Sequence, residues 1–142
     1  VRISDVLHSK GVQVVSVAPD TPVPELLSRL AAHEVGAAVV LAADEVVGIV
    51  SERDVVRRLE RLGPALLEQQ VADIMTSPVH TCCPEDSLDS VSVTMTEQRA
   101  RHMPVLVQGR LAGIVSIGDV VKSHIAELEH DREQLTAYIS QG

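Results

Sequence analysis

Two short polar segments of this chain carry the same pair of side chains at the same spacing. Ser51 and Asp54 stand three residues apart, as do Ser116 and Asp119. A hydroxyl and a carboxylate so placed share one helical turn and have two uses. In a helix cap the serine oxygen accepts a first-turn N–H, and the carboxylate reaches back to the serine amide. In a binding site the free N–H groups and the positive end of the helix dipole attract an anion such as phosphate, while the carboxylate accepts ribose hydroxyls. A capping box usually employs the longer Glu or Gln, so both uses remain open on the pattern alone.

Positive charge is distributed unevenly around these pairs. Arg99, Arg101 and His102 lead into Met103-Pro104-Val105, whereas the matching positions nearer the N-terminus are Glu34, Gly36 and Ala37. Three cationic or titratable side chains within four positions stand out in a chain of net charge −8. The planar guanidinium suits bidentate contact with phosphate. Arg53 is the cation beside Asp54, and its counterpart Gly118 would let a ligand come close to the backbone. Catalysis finds little support: neither serine sits in a nucleophile elbow, and no His-x-x-x-His or Cys-x-x-Cys spacing points to a metal. The expectation is a protein that is not an enzyme and carries no catalytic cofactor.

The elements that must position these residues are duplicated. Gly48-Ile49-Val50-Ser51-Glu52-Arg53-Asp54-Val55-Val56 recurs 65 positions later as Gly113-Ile114-Val115-Ser116-Ile117-Gly118-Asp119-Val120-Val121, differing only at the two residues after the serine. The offset runs ungapped from about Val14. Ahead of it, Ser4-Asp5-Val6-Leu7 matches Ala72-Asp73-Ile74-Met75 at an offset of 68. Two copies are too few for a solenoid, so one closed pseudo-twofold unit is expected.

Within copy one, residues Val12 to Ala18 predict a short strand. Thr21 and Pro22 then predict a helix start, with Thr21 as cap and Pro22 in the first turn. Val23, Leu26, Leu27, Leu30 and Ala31 give that helix a buried face. Ala37 to Ala42 and Val46 to Val50 read as a buried hairpin joined by Ala43-Asp44-Glu45, and a helix from Ser51 is expected to turn Val55, Val56 and Leu59 inward. Copy two repeats the order: a strand at Val79 to Cys82, a helix from about Asp86 with its own capping pair in Asp86-Ser87-Leu88-Asp89, strands near His102 to Val107 and Leu111 to Val115, and a helix from Ser116. The expected division is 1–61 and 71–125 for the copies, 62–70 for a partly helical connector, and 126–142 for a helical tail. The tail's stripe of Ile125, Leu128, Leu135, Tyr138 and Ile139 needs burial, on its own domain or on a second chain.

Composition excludes several classes. The 142 residues suit a single domain whose core must be aliphatic, since there is no Phe, no Trp and one Tyr. Net charge −8 and the lack of stacking aromatics argue against nucleic acid. No apolar run reaches membrane-span length and no charged-then-apolar leader opens the chain, so no membrane partner and a cytoplasmic location are expected. The adjacent Cys82 and Cys83 read as two small apolar residues in or beside a strand.

The duplicated Gly-Ile-Val-Ser-x-x-Asp-Val-Val, with Arg101-His102-Met103-Pro104-Val105 ahead of the second copy, resembles the cystathionine β-synthase (CBS) domain in tandem, or Bateman module, over roughly residues 1 to 125. The tail resembles the end of small bacterial stand-alone CBS pairs. The resemblance implies an α/β (α+β) fold: two β-α-β-β-α repeats packed with pseudo-twofold symmetry around two clefts. It also implies binding of adenosine-containing ligands (AMP, ADP, ATP, nicotinamide dinucleotides, S-adenosylmethionine) that regulate a partner protein, unidentified here. Carried onto this chain, one cleft would use Ile114, Ser116, Gly118 and Asp119 with Lys10, Val14 and Val15. The other would use Ile49, Ser51, Arg53 and Asp54 with Val79 and His80. Arg99, Arg101 and His102, running into Met103 and Pro104, match the family's phosphate-contacting segment with the basic pair in reversed order. Gly36-Ala37 lacks that charge and Glu52 adds a negative one, which favours the Asp119 cleft. Two functions compete: a nucleotide-sensing regulatory module, and a structural dimerisation module with empty clefts. A homodimer is expected, through the tail or through the domain helices.

Overall fold

The computed structural model describes residues 1–11 and 13–141. The chain runs α1 (Ile3–Lys10), β1 (Ser16–Val17), α2 (Val23–His33), β2 (Ala37–Ala42), β3 (Glu45–Ser51) and α3 (Glu52–Leu62). A 3-10 segment over Gly63–Glu68 leads to α4 (Val71–Ile74), α5 (Leu88–Gln98), β4 (His102–Val107), β5 (Arg110–Ser116) and a 25-residue α6 (Ile117–Gln141).

The sequence duplication persists in backbone detail. Each antiparallel hairpin, β2–β3 and β4–β5, breaks register at one equivalent place, between Val40 and Leu41 and between Val105 and Leu106. Each turns on two residues of positive φ: Ala43 and Asp44 at 51° and 66°, Gln108 and Gly109 at 52° and 78°. That is what a two-residue turn matched to the strand twist requires, and it puts Glu45 in the strand rather than the turn. Glu34 and Arg99 end α2 and α5 in the same left-handed conformation.

The leading helices are exchanged between the copies. α1 contributes Ile3, Val6 and Leu7 to the core formed by Cys82, Leu88, Val91, Met95, Met103, Val105, Val115 and Val120. α4 contributes Val71 and Ile74 to the core of Val17, Val23, Leu26, Leu30, Ala38, Val40, Val50 and Leu66. Main-chain bonds fix the exchange: Ile3 N–H donates to Asp86 O at 2.9 Å, and the equivalent Val71 N–H donates to Thr21 O at 2.9 Å. Full burial of an aliphatic side chain stabilises by about 1.5–3 kcal/mol, so each copy's core depends on the other copy's helix.

Several expectations are corrected. Of the strand expected over Val12 to Ala18, only Ser16 and Val17 pair, and Val12 lies outside the described residues. The strand expected over Val79 to Cys82 is reduced to one bridge, Cys82 to Val105, equivalent to the Val17–Val40 pair. Thr21 does not cap α2. Its hydroxyl accepts the Ala18 N–H at 3.1 Å and tightens the preceding turn, leaving Pro22 as the cap residue. α5 starts at Leu88, capped by Ser87 accepting from Ser90 N–H at 3.1 Å, while Asp86 accepts from Cys83 N–H. Asp89 has no part in that cap. Ala31 is exposed and Leu27 half-buried. Val56 and Leu59, expected inward, are 63% and 50% exposed. The Ser51 cap sets the phase of α3 so that only Val55 leans on its own core.

The tail continues α6, but it does not fold back. Ile125, Leu128, Leu135, Tyr138 and Ile139 all remain more than half exposed. Cys82 is buried in the second core, where burial, with Asp86 and Cys83 adding to it, pushes its thiol up to about 12.

Candidate functional site

Each Ser-x-x-Asp segment stands where the last strand of a hairpin runs into a helix. Both form complete caps. Asp54 Oδ2 accepts the Ser51 N–H at 2.8 Å, and the Ser51 hydroxyl accepts the Asp54 N–H at 3.4 Å. Asp119 Oδ2 accepts the Ser116 N–H at 2.8 Å, and the Ser116 hydroxyl accepts the Asp119 N–H at 3.1 Å. The shorter Asp suffices because β-strand geometry at Ser51 (φ −125°, ψ 167°) turns the serine amide toward the first helical turn.

Capping does not exhaust these carboxylates, since each also faces the C-terminal end of the other copy's leading helix or the residues just past it. Lys10, the last residue of α1, places its Nζ 2.6 Å from Asp119 Oδ2 and 2.9 Å from the Ile114 carbonyl oxygen. Thr76, just past α4, donates from its hydroxyl to Asp54 Oδ1 at 3.4 Å and exchanges main-chain bonds with Ile49. The helix exchange therefore brings residues of both copies together at each of the two clefts that the resemblance implies. Gly48 and Gly113 permit the close crossing. A Cβ on Gly48 would lie 2.8 Å from Met75 Sδ and 2.9 Å from Thr76 O, and one on Gly113 would lie 2.9 Å from Leu7 Cδ2.

The Asp119 cleft gathers charge. Burial works to raise the Asp119 carboxyl, but the hydrogen bonds from Lys10 and Ser116 outweigh it and hold the group below its ordinary value. His102, half-buried at the start of β4, is lowered by burial first and then by Lys10 and Arg101, with Asp119 and Glu52 opposing. Those four groups are thus its electrostatic neighbours. Ser116 and Asp119 are half-buried, and a Cβ on Gly118 would meet only the Ser116 hydroxyl, at 3.6 Å, so the approach to this helix start is open.

Other candidates fall in different surroundings. Val14 and Val15 are half-buried on the approach to β1, and Val79 likewise before the Cys82 bridge; His80 and Arg53 are exposed. Arg101 is exposed and its carbonyl accepts the Ile117 N–H at 2.8 Å. Arg99 sits at the C-terminal cap of α5 in a conformation its counterpart Glu34 shares, so its backbone has a structural task of its own. Met103 belongs to the second core at 1% exposure, and Pro104 is buried. Thr76 was not anticipated. Its signal lay in the offset change from 68 to 65, which puts extra residues, Lys10 among them, opposite the segment holding Thr76.

The CBS domain profile matches residues 3–61 and again 71–125. The chain belongs to the CBS-domain family. Its fold is that of a tandem CBS pair with a C-terminal helix. A CBS-domain protein of Agrobacterium tumefaciens superposes with a TM-score of 0.83 at 44% identity, over 87% of this chain and 99% of that one. A CBS-domain protein of Pyrobaculum aerophilum, solved in complex with AMP, superposes with a TM-score of 0.73 at 30% identity, over 84% of this CBS pair and 89% of its own chain. The mitochondrial CBS domain-containing protein CBSX3 of Arabidopsis thaliana is 35% identical over 149 residues, 99% of this chain and 72% of the relative. Among the described residues of this CBS pair, no helix is long and apolar enough to cross a membrane, and no group of His, Cys, Asp and Glu is placed to hold a metal.

Proposed function

We propose that this CBS pair is a non-catalytic regulatory module that binds an adenosine-containing ligand, AMP, ADP, ATP or NAD(H), and transmits its occupancy to a partner protein. The observation that carries this reading is the placement of Asp119. It is half-buried at a helix start, pairs with Lys10 from the other repeat, and lies beside His102, which also feels Arg101 and Glu52. A carboxylate for ribose hydroxyls beside N–H groups and cations for phosphate is the arrangement a nucleotide requires. The AMP complex of the Pyrobaculum relative supports the ligand class. The Asp54 cleft has the same carboxylate but Glu34, Gly36 and Ala37 where the other has Arg99, Arg101 and His102, and we assign it the weaker binding.

The module is proposed to act as a homodimer. Val56 and Leu59 on α3 and Val121, Ile125 and Leu128 on α6 are all half exposed or more. That apolar surface gains roughly 25 cal/mol for each Å² removed from water. A second reading, a dimerisation module that binds no small molecule, draws on the helix-capping bonds that already engage both serine–aspartate pairs. Calorimetry with AMP, ATP and NADH separates the two. Saturable binding of at least one is expected, whereas absence of heat with all three at millimolar concentration favours the structural module.

A further inference from the structure

Besides their unequal charge, the two clefts differ in what the facing copy places against the carboxylate. In the Asp54 cleft the Ile49 carbonyl accepts the Thr76 N–H at 2.8 Å, and Asp54 accepts the Thr76 hydroxyl. In the Asp119 cleft both equivalent acceptors, the Ile114 carbonyl and the Asp119 carboxylate, are taken by the single ammonium of Lys10. Thr76 is tied in by main-chain bonds in both directions, to Ile49 O and from Ile49 N–H. Lys10 is held only by its side chain, 30% exposed, on a four-carbon stem. One cleft is therefore closed by backbone and the other by a cation that can leave.

We propose that Lys10 is an exchangeable internal cation that makes the Asp119 cleft select anionic ligands. Ribose hydroxyls displace the ammonium from Asp119, and the displaced ammonium pairs with a phosphate of the same ligand. This rests on the reading of the cleft as a site for adenosine-containing ligands. A neutral nucleoside breaks the Lys10–Asp119 pair and offers the ammonium nothing in return. A phosphate-bearing ligand returns a charge-assisted partner, the stronger class of hydrogen bond. Lys10 also lowers His102, so its departure from Asp119 toward an anion leaves a compact cationic cluster with Arg101 at the phosphate. The Asp54 cleft has no ammonium at the equivalent place and exerts no such selection.

The test compares Lys10→Met and Lys10→Arg with the wild type, using adenosine and AMP in low salt and following the Asp119 carboxylate by NMR so that this cleft alone is read. In the ligand-free protein, Lys10→Met should raise the pKa of Asp119. Adenosine should bind Lys10→Met about two- to fivefold more tightly, the range of a partly exposed ion pair no longer opposing it. AMP should bind about tenfold or more weakly, and Lys10→Arg should keep the AMP preference. An AMP-to-adenosine ratio unchanged by Lys10→Met overturns the exchange while leaving the nucleotide reading intact. Failure of both ligands to perturb Asp119 in every variant overturns that reading and the exchange with it.

Discussion

The exchange of leading helices makes Gly48 sensitive to any added side-chain atom. Replacing it with alanine puts a methyl group 2.8 Å from Met75 Sδ and 2.9 Å from the Thr76 carbonyl oxygen. The sulfur ends a flexible side chain and can shift. The carbonyl cannot, because its acceptor bond from Ile49 N–H is part of the bridge joining the repeats. Overpacking of this kind costs about 1–3 kcal/mol. Gly48 has no positive φ, so alanine regains about 0.4–1 kcal/mol by restricting the unfolded chain. The net expectation is a loss of about 0–2.6 kcal/mol, centred on about 1.3 kcal/mol. Gly113→Ala meets only Leu7 Cδ2 at 2.9 Å and Cδ1 at 3.4 Å, ends of one side chain, and should cost less than about 1 kcal/mol. Urea unfolding of both variants at one fixed protein concentration measures the difference. Equal stabilities, or Gly113→Ala the weaker protein, would refute the packing argument for the crossing.

His102 supplies a pH dependence. Burial lowers its pKa in the folded protein, so below about 6.5 the unfolded chain takes up a proton that the folded one resists, and stability should fall as pH drops from there. His102→Gln should flatten that part of the pH–stability curve. A phosphate beside His102 would raise the same pKa, so AMP binding near pH 6.5 should take up more protons in the wild type than in His102→Gln, read from the buffer dependence of the calorimetric enthalpy. The ligand's own phosphate titration is common to both. For the dimer, Val121→Asp should convert the protein to a 15.2 kDa monomer by light scattering, while a change at the far tail, Tyr138→Ser, should leave a dimer. The reverse pattern would move the interface to the tail.

Much of this architecture was legible because hydrophobic runs and turn chemistry agree. The hairpins follow from apolar runs separated by Ala43-Asp44-Glu45 in copy one and by the break between Val107 and Leu111 in copy two, and the repeat offset carried one copy's reading onto the other. The first strands were legible only in outline. Their pairing depends on tertiary neighbours, which hold two residues in copy one and a single bridge in copy two. Thr21 looked like a cap on local grounds, but the Ala18 amide competes for the same hydroxyl. The inward reading of Val56 and Leu59 took apolar spacing as burial within one chain, and the structure leaves that face uncovered. At the site, the Ser-x-x-Asp pairs marked both clefts, but Lys10 was reached only through the family resemblance, and nothing in the periodicity pointed to Thr76. Their placement follows from the helix exchange, a long-range feature.

The central claim concerns Asp119 as a ligand group beyond its role as a cap. Its most direct measurement is the affinity of AMP for the wild type and for Asp119→Asn, with 2′,3′-dideoxy-AMP as the ligand lacking both hydroxyls. A charge-assisted hydrogen bond is worth about 1.5–3 kcal/mol, so the substitution should weaken AMP roughly ten- to a hundredfold, and the dideoxy ligand should bind the wild type comparably poorly. If Asp119→Asn unfolds more easily yet binds AMP as tightly as the wild type, the carboxylate is a helix cap and nothing more.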